Sequence, residues 1–298
     1  MIAGEPMATG NAGAPATAGA FPDAGLAAEL GRVLVVGAGS MGSAIISGLL
    51  GIPGFKAGSL VVCDHHQDRL ADLAQRFGCA TFSSAAEAAQ TLAPDTVILA
   101  VRPGNALELA RRLEGAAPSG QPLLVSIMSG VSNARLTELF GSWSRVVRVM
   151  PNTPLAVGAG MTLVSADAPA GPEAVALAVR VFAAMGDALA LPEALFDEGA
   201  ALSGCGPAYF ELIVDALARA GVRHGLSRAV AQRLANQTML GTATLLARTG
   251  KHPQVAIDEV TTPGGTTIAG VQTMEALGLR TALDEGVSAA VERAKGQA

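Results

Sequence analysis

The run Arg32–Val36 leads at once into Gly37-Ala38-Gly39-Ser40-Met41-Gly42 and then into a helix-compatible stretch ending near Leu50. A G-x-G-x-x-G segment between strand and helix leaves few folds open. Gly37 makes a tight turn, Gly39 lets the backbone approach a phosphate, and Gly42 lets helix and strand pack closely. The helix start that follows offers free N–H groups and the positive end of a dipole to an anion. A glycine turn alone needs no ligand. In the first strand-to-helix turn of a long alternating pattern, it is a dinucleotide-binding fingerprint, with Gly37, Gly39, Ser40, Met41 and Gly42 on the pyrophosphate.

The alternation continues along the chain. Leu60–Cys63, Thr96–Ala100, Leu123–Ile127 and Arg145–Met150 are short, mostly apolar runs, and Gln67–Phe77 is helical in pattern. Met161–Val164 and Ala188–Leu191 read as later strands flanking a helix near Pro172–Ala184. Apolar strands separated by helices are covered on both faces, which predicts a parallel, doubly wound α/β sheet of Rossmann type. After about Pro192 the strand runs stop. Helices are expected over Pro207–Gly221, Ser227–Arg248 with Ser227 as N-cap, Thr266–Leu277 and Thr281–Ala294. The expected division is a flexible extension over 1–30 with Ala24–Leu30 partly ordered, a dinucleotide-binding domain over 31–192, and an all-helical domain over 193–298. A length of 298 residues agrees with two domains rather than one.

Composition narrows the function. Half the residues are hydrophobic and 15% are charged, so much surface is available for burial, an oligomer interface included. The net charge of −5 and the lack of a basic run argue against a nucleic-acid partner. No apolar run reaches the roughly 18 residues of a membrane helix. The N-terminal stretch has no basic segment ahead of an apolar core, so it does not read as a signal peptide. Cys63, Cys79 and Cys205 form no paired spacing, which fits a reducing, cytoplasmic setting. His65, His66, His224 and His252 show no ligand spacing with acids or cysteines, and no metal is expected.

Several segments fall where ligands bind such sheets. Asp64 ends the second strand, where an acid bonds a ribose 2′-hydroxyl and repels a 2′-phosphate. That leans toward NADH. His65 and His66 follow, and either could meet a 2′-phosphate when protonated, so NADH or NADPH stays open. Val101-Arg102-Pro103-Gly104 and Pro151-Asn152-Thr153-Pro154 lie at carboxyl ends of strands, the side of the sheet that takes the cofactor. Thr261-Thr262-Pro263-Gly264-Gly265-Thr266-Thr267 precedes a helix and gathers N–H groups, hydroxyls and a helix start, a trap for a small carboxylate. In Ser203-Gly204-Cys205-Gly206-Pro207-Ala208-Tyr209, Cys205 could be a nucleophile, but no nearby His or Asn would activate it.

Taken together, G-A-G-S-M-G, V-R-P-G, M-P-N-T-P, S-G-C-G-P-A-Y and T-T-P-G-G-T-T-I resemble the ordered motifs of the pyrroline-5-carboxylate reductases, from residue 31 to about 295. The resemblance implies reduction of 1-pyrroline-5-carboxylate to L-proline with NADPH or NADH, the last step of proline biosynthesis. It implies a Rossmann domain and a helical domain interlocked with a partner subunit, in a homodimer that builds a larger homo-oligomer such as a decamer. It also implies that Thr262, Gly264, Gly265, Thr266 and Thr267 hold the substrate, with the Thr267 hydroxyl near the imine nitrogen as the catalytic group. Asp64, Val101, Arg102, Pro103 and Asn152 would border the cofactor. Three positions depart from the family pattern: Arg102 stands where Lys is usual, Asp215 where Glu is frequent, and Glu259 where neutral residues are common. An anion at 259 would weaken carboxylate binding unless it points away.

Three alternatives stand beside this. A β-hydroxyacid dehydrogenase would need a lysine early in the helical domain, and residues 193–225 contain none. A reductase of another cyclic imine acid, such as piperideine carboxylate, differs only in ring size. A noncatalytic dinucleotide sensor would have no use for the Thr261–Thr267 turn.

Overall fold

The structure is a computed structural model that describes residues 25–116 and 120–296. Its first part runs α1 (Leu26–Leu30), β1 (Val33–Val36), α2 (Ser40–Leu50), β2 (Leu60–Cys63), α3 (Gln67–Phe77), β3 (Ala80–Phe82), α4 (Ala85–Leu92), β4 (Thr96–Leu99), α5 (Ala106–Glu114), β5 (Leu123–Ser126), α6 (Asn133–Phe140), β6 (Arg145–Met150), β7 (Gly160–Ser165), α7 (Pro172–Ala183) and β8 (Gly186–Ala190). The eight strands form one sheet in the order β3-β2-β1-β4-β5-β6-β7-β8. The chain leaves β1 toward β2 on one side and later returns to β4 on the other. The crevice at that reversal is where such sheets bind ligands.

Successive strand residues face opposite sides, so each apolar strand supplies two cores. Val33 and Val35 join Ile45, Leu49, Val62 and Ile98 on one face. Leu34 and Val36 join Val61, Leu99, Leu124 and Phe140 on the other. Every strand from β1 to β6 pairs parallel with its neighbours in that part of the sheet, but β7 is antiparallel to β6. The doubly wound sheet is parallel as expected except at β7, and the exception has a physical reason. Only residues 151–159 join β6 to β7, and a parallel return needs a crossover of about a dozen residues or more.

The expected extension over 1–30 is helical at its end. Leu26 and Leu30, one turn apart, are 1% exposed and belong to the first core. Glu29 pairs with Arg180 of α7, and the Thr96 hydroxyl donates to the Leu30 carbonyl at 2.9 Å. Residues 1–24 lie outside the described residues.

The second part contains only helices: α8 (Phe196–Ser203), α9 (Gly206–Arg223), α10 (Arg228–Thr249), α11 (Pro253–Val260), α12 (Thr266–Ala276) and α13 (Leu279–Lys295). Ser227 caps α10 as expected, its hydroxyl accepting from the Val230 N–H at 3.4 Å. α8 and α11 had no clear signature in the sequence. α11 starts at Pro253, a residue that breaks a helix interior but suits a first turn. Packing here is thin. Among the described residues the only buried cluster is Ala218, Ala231 and Ala235, and α11, α12 and α13 bury no residue.

Ion pairs and hydrogen bonds hold this part to the sheet domain. Arg148 of β6 is buried, 2.7 Å from Glu193 and 3.4 Å from Asp197, with its guanidinium 4.2 Å above the Phe196 ring. Glu193 also accepts from the backbone and side-chain amides of Asn133 at 3.0 and 2.9 Å. A buried charge is tolerable only when paired in this way. At the far end, Lys295 of α13 returns to Glu198 of α8 at 2.6 Å.

Candidate active site

The glycine loop is built by its neighbours in the sheet. In register, Val36 stands beside Cys63 and Leu99. The Gly37 N–H donates to the Cys63 carbonyl and the Ala100 N–H to the Val36 carbonyl, each at 2.7 Å. Gly37 has φ +107°, and a Cβ there would lie 2.3 Å from the Ala100 carbonyl oxygen. A Cβ at Gly42 would lie 2.1 Å from the Gly37 carbonyl oxygen. Both glycines are therefore demanded by the fold. Gly39 is different: its φ is −68° and nothing lies within 4 Å of a Cβ built on it. The space beside Gly39 opens onto the start of α2, which has no side-chain cap and no acid in its first turn. Uncapped N–H groups beside an open cradle fit a pyrophosphate.

Asp64 closes this loop. Its side chain is 4% exposed. Oδ2 accepts from the Ala38 N–H at 2.7 Å; Oδ1 accepts from the His66 N–H at 2.9 Å and faces His66 Nδ1 at 2.8 Å. Burial works against ionisation, but the bonds from Ala38 and His66 outweigh it and hold the carboxyl below its ordinary range. His65 Nδ1 lies 3.5 Å away and an Arg69 guanidinium nitrogen 3.9 Å away. Arg69 was not picked out from the sequence. The available signal was an arginine in the helix directly after the second strand. Asp64, His65 and His66 also form the one His/Cys/Asp/Glu group among the described residues with ligand atoms within 4.8 Å of one another. Asp64 already spends both oxygens on backbone N–H groups, which leaves a poor ligand set. Next door, burial first and then the Asp64 charge push the Cys63 thiol up to about 11, so this cysteine is inert as a nucleophile.

At the end of β4, Val101 is half-buried, while Arg102 and Pro103 are exposed. The Arg102 side chain makes no hydrogen bond or ion pair among the described residues, leaving its donors free at the binding edge of the sheet. Asn152 behaves otherwise. It is buried, with its Nδ2 donating to the Ser203 carbonyl and its Oδ1 accepting from the Met161 N–H, both at 2.9 Å. Its amide fastens the loop after β6 to β7 and to the end of α8. These segments border a cavity of about 650 Å³ lined by Asn152, Pro154, Ser203, Gly206, Pro207 and Phe210 among others. The M-P-N-T-P and S-G-C-G-P-A-Y motifs, 50 residues apart, thus meet in space.

The Thr262–Thr267 turn is self-contained. The Gly265 N–H donates to the Thr262 carbonyl at 2.9 Å, and Gly264 sits at φ +69°. A Cβ at Gly265 would lie 2.4 Å from the Thr262 hydroxyl oxygen. Thr266 and Thr267 open α12, whose N-terminus has no side-chain cap. Thr262, Gly264, Thr266 and Thr267 are exposed. Among the described residues, no hydrogen bond joins this turn to the sheet domain. Glu259, the awkward anion beside it, is held by Lys251, whose Nζ reaches both carboxylate oxygens at 2.8 and 2.7 Å. Asp215 pairs with Arg219 at 2.6 Å and with Arg228.

Comparison with known proteins places these features in context. Residues 193–297 match the family described as pyrroline-5-carboxylate reductase dimerisation, and residues 32–130 match NADP oxidoreductase, coenzyme F420-dependent. The chain is 40% identical to the pyrroline-5-carboxylate reductase of Synechocystis over 88% of its own length and 96% of the relative's. It is 34% identical to that of Escherichia coli, over 89% and 97%. Among solved structures, a pyrroline-5-carboxylate reductase from Coxiella burnetii superposes with a TM-score of 0.83 at 31% identity, covering 90% of this chain and 99% of that one. A Plasmodium falciparum pyrroline carboxylate reductase with NADP bound gives 0.79 at 29%, covering 90% and 98%.

Proposed function

The chain belongs to the pyrroline-5-carboxylate reductase family, and on that premise we propose that it reduces 1-pyrroline-5-carboxylate to L-proline with NADPH or NADH, the last step of proline biosynthesis. The observation that carries this reading is the Thr262–Thr267 turn, whose uncapped helix start and exposed hydroxyls suit a small carboxylate. A protein that only bound dinucleotide would not need it.

The chemistry follows from the groups present. The dinucleotide, when bound on Gly37–Gly42, supplies the hydride. Gly264, Gly265 and the first N–H groups of α12 hold the substrate carboxylate. Thr262 and Thr266 fix the ring. The Thr267 hydroxyl oxygen accepts from the N–H of the protonated imine and so sets which carbon faces the cofactor. A protonated cyclic imine is already electrophilic, so positioning supplies much of the rate. No strong general acid is needed. Val101, Arg102 and Pro103 border the nicotinamide end, and Asn152 acts by fastening that border rather than by touching the cofactor.

A second copy of the chain completes the site. The support is physical: the turn is exposed and makes no hydrogen bond to the sheet domain among the described residues, α11–α13 bury nothing, and Phe210, Leu212, Leu240, Val260 and Leu277 stand out in solvent. So much apolar helix surface marks an interface. We take the working unit to be a homodimer, assembled further into a ring such as a decamer, with the helical domain starting near residue 193. No helix among the described residues is long and apolar enough to cross a membrane, and we place the enzyme in the cytoplasm.

The test is the fall in NAD(P)H absorbance with pyrroline-5-carboxylate and, in parallel, with piperideine carboxylate. We expect oxidation with the five-membered ring and slower turnover with the six-membered one. No oxidation with either defeats the reading, and faster turnover with the larger ring reassigns the substrate.

A further inference from the structure

In the simplest form of this fold, the acid at the end of the second strand is free to bond a ribose 2′-hydroxyl. Asp64 is not free. Two backbone N–H groups, from Ala38 and His66, occupy its oxygens, and its side chain is 4% exposed. His65, His66 and Arg69 face solvent at this spot, with the exposed Asp68 beside them in the first turn of α3. The two imidazoles of His65 and His66 lie with ring centroids 3.8 Å apart. The Arg69 side chain is 49% exposed and makes no hydrogen bond among the described residues, so its planar fork keeps its donors.

The position of this group matters as much as its charge. Asp64 is bonded directly to Ala38 inside the glycine loop, so His65, His66 and Arg69 lie next to the pyrophosphate cradle. On a dinucleotide seated there, the adenosine ribose comes to this side of the loop. A guanidinium matches a phosphate with two parallel hydrogen bonds, and imidazoles add donors. Asp64 itself presents no bare anion, since its charge is met by two N–H donors and by Arg69.

We propose that Arg69, with His65 and His66, forms a 2′-phosphate site that makes this chain prefer NADPH to NADH, and that Asp64 organises the site instead of binding ribose. The inference rests on the dinucleotide-binding reading given above, and it reverses the lean toward NADH that Asp64 alone suggests.

Binding calorimetry on the full chain, with NADPH, NADH, 2′,5′-ADP and inorganic phosphate as separate titrants, tests it without turnover. The expected result is NADPH binding about tenfold or more tighter than NADH, the loss from one charge-assisted pair being of that order. Arg69→Ala should bring the ratio of the two affinities close to one, Arg69→Lys should restore part of it, and His66→Ala should lower it by less. Arg69→Gln serves if the alanine variant fails to fold. Equal or tighter NADH binding by the wild type overturns the proposal, as does an unchanged ratio in both Arg69→Ala and Arg69→Gln. Inorganic phosphate displacing 2′,5′-ADP at equal concentration would reduce the cluster to a plain anion site and also overturn it. If neither dinucleotide binds, the dinucleotide reading itself falls, an outcome distinct from equal binding of both.

Discussion

Gly37–Gly42 and Thr262–Thr267 each set glycines ahead of a helix whose first N–H groups are uncapped. Yet one is clamped and the other is not. The first is wedged between the ends of β1, β2 and β4, with Asp64 bonded into it and no room at two of its three glycines. The second stands in solvent, bonded mainly to itself. The difference shows two ways to make an anion site. A sheet can preorganise one within a single chain. A helical layer with little core of its own presents one on its surface, where the proposed second copy would close it.

The sharpest way to break this comparison is inside the first loop. Gly42→Ala pushes a methyl against a backbone carbonyl and should cost about 2–4 kcal/mol of stability, seen as a large drop in Tm together with loss of dinucleotide binding. Gly39→Asp has space and an ordinary φ, so it should keep the wild-type Tm and still abolish binding by setting an anion in the cradle. If both variants lose stability alike, the distinction between structural and ligand-facing glycines is wrong.

The next effect concerns the second loop. Thr267→Ala should cut kcat by about ten- to a hundredfold, the worth of one hydrogen bond to a charged nitrogen, while leaving the Kd for NADPH within about twofold. Mixing this variant with Gly39→Asp tests the shared site. In random 1:1 dimers, only mixed pairs hold one intact site, so activity should recover to about a quarter of wild type. No recovery would mean that each chain uses its own turn.

The smallest effect sharpens the clamp. The Asp64 carboxyl lies below its ordinary range when folded, so its contribution is present above the unfolded value of about 3.9 and is lost as pH falls through the folded value. Asp64→Asn should therefore be less stable than wild type by about 1–2 kcal/mol near neutrality, a gap that closes below about pH 4 in thermal melts. A gap that persists at pH 3 would show that geometry, not charge, holds the loop.

Much of this was legible beforehand, and the gaps have causes. Apolar runs announced β1, β2, β4, β5 and β6 because strands buried on both faces need them. β3 and α8 were silent, since β3 is three partly exposed residues and α8 has a weak apolar face. Asn152 was expected beside the cofactor, but its two bonds to Ser203 and Met161 were not legible, because partners 51 and 9 residues away are chosen by the fold. Glu259 looked like a fault in sequence and proved to be paired with Lys251.

The sequence by itself determined the period of the elements, the chemistry of both turns and the family, since these are local matters of residue type and spacing. Tertiary structure decided three things that depend on long-range approach. It turned β7 antiparallel because nine residues cannot make a crossover. It turned Asp64 inward onto Ala38, leaving Arg69 and the histidines exposed beside it. And it left the Thr262–Thr267 turn exposed, because α11–α13 bury no residue that would cover it.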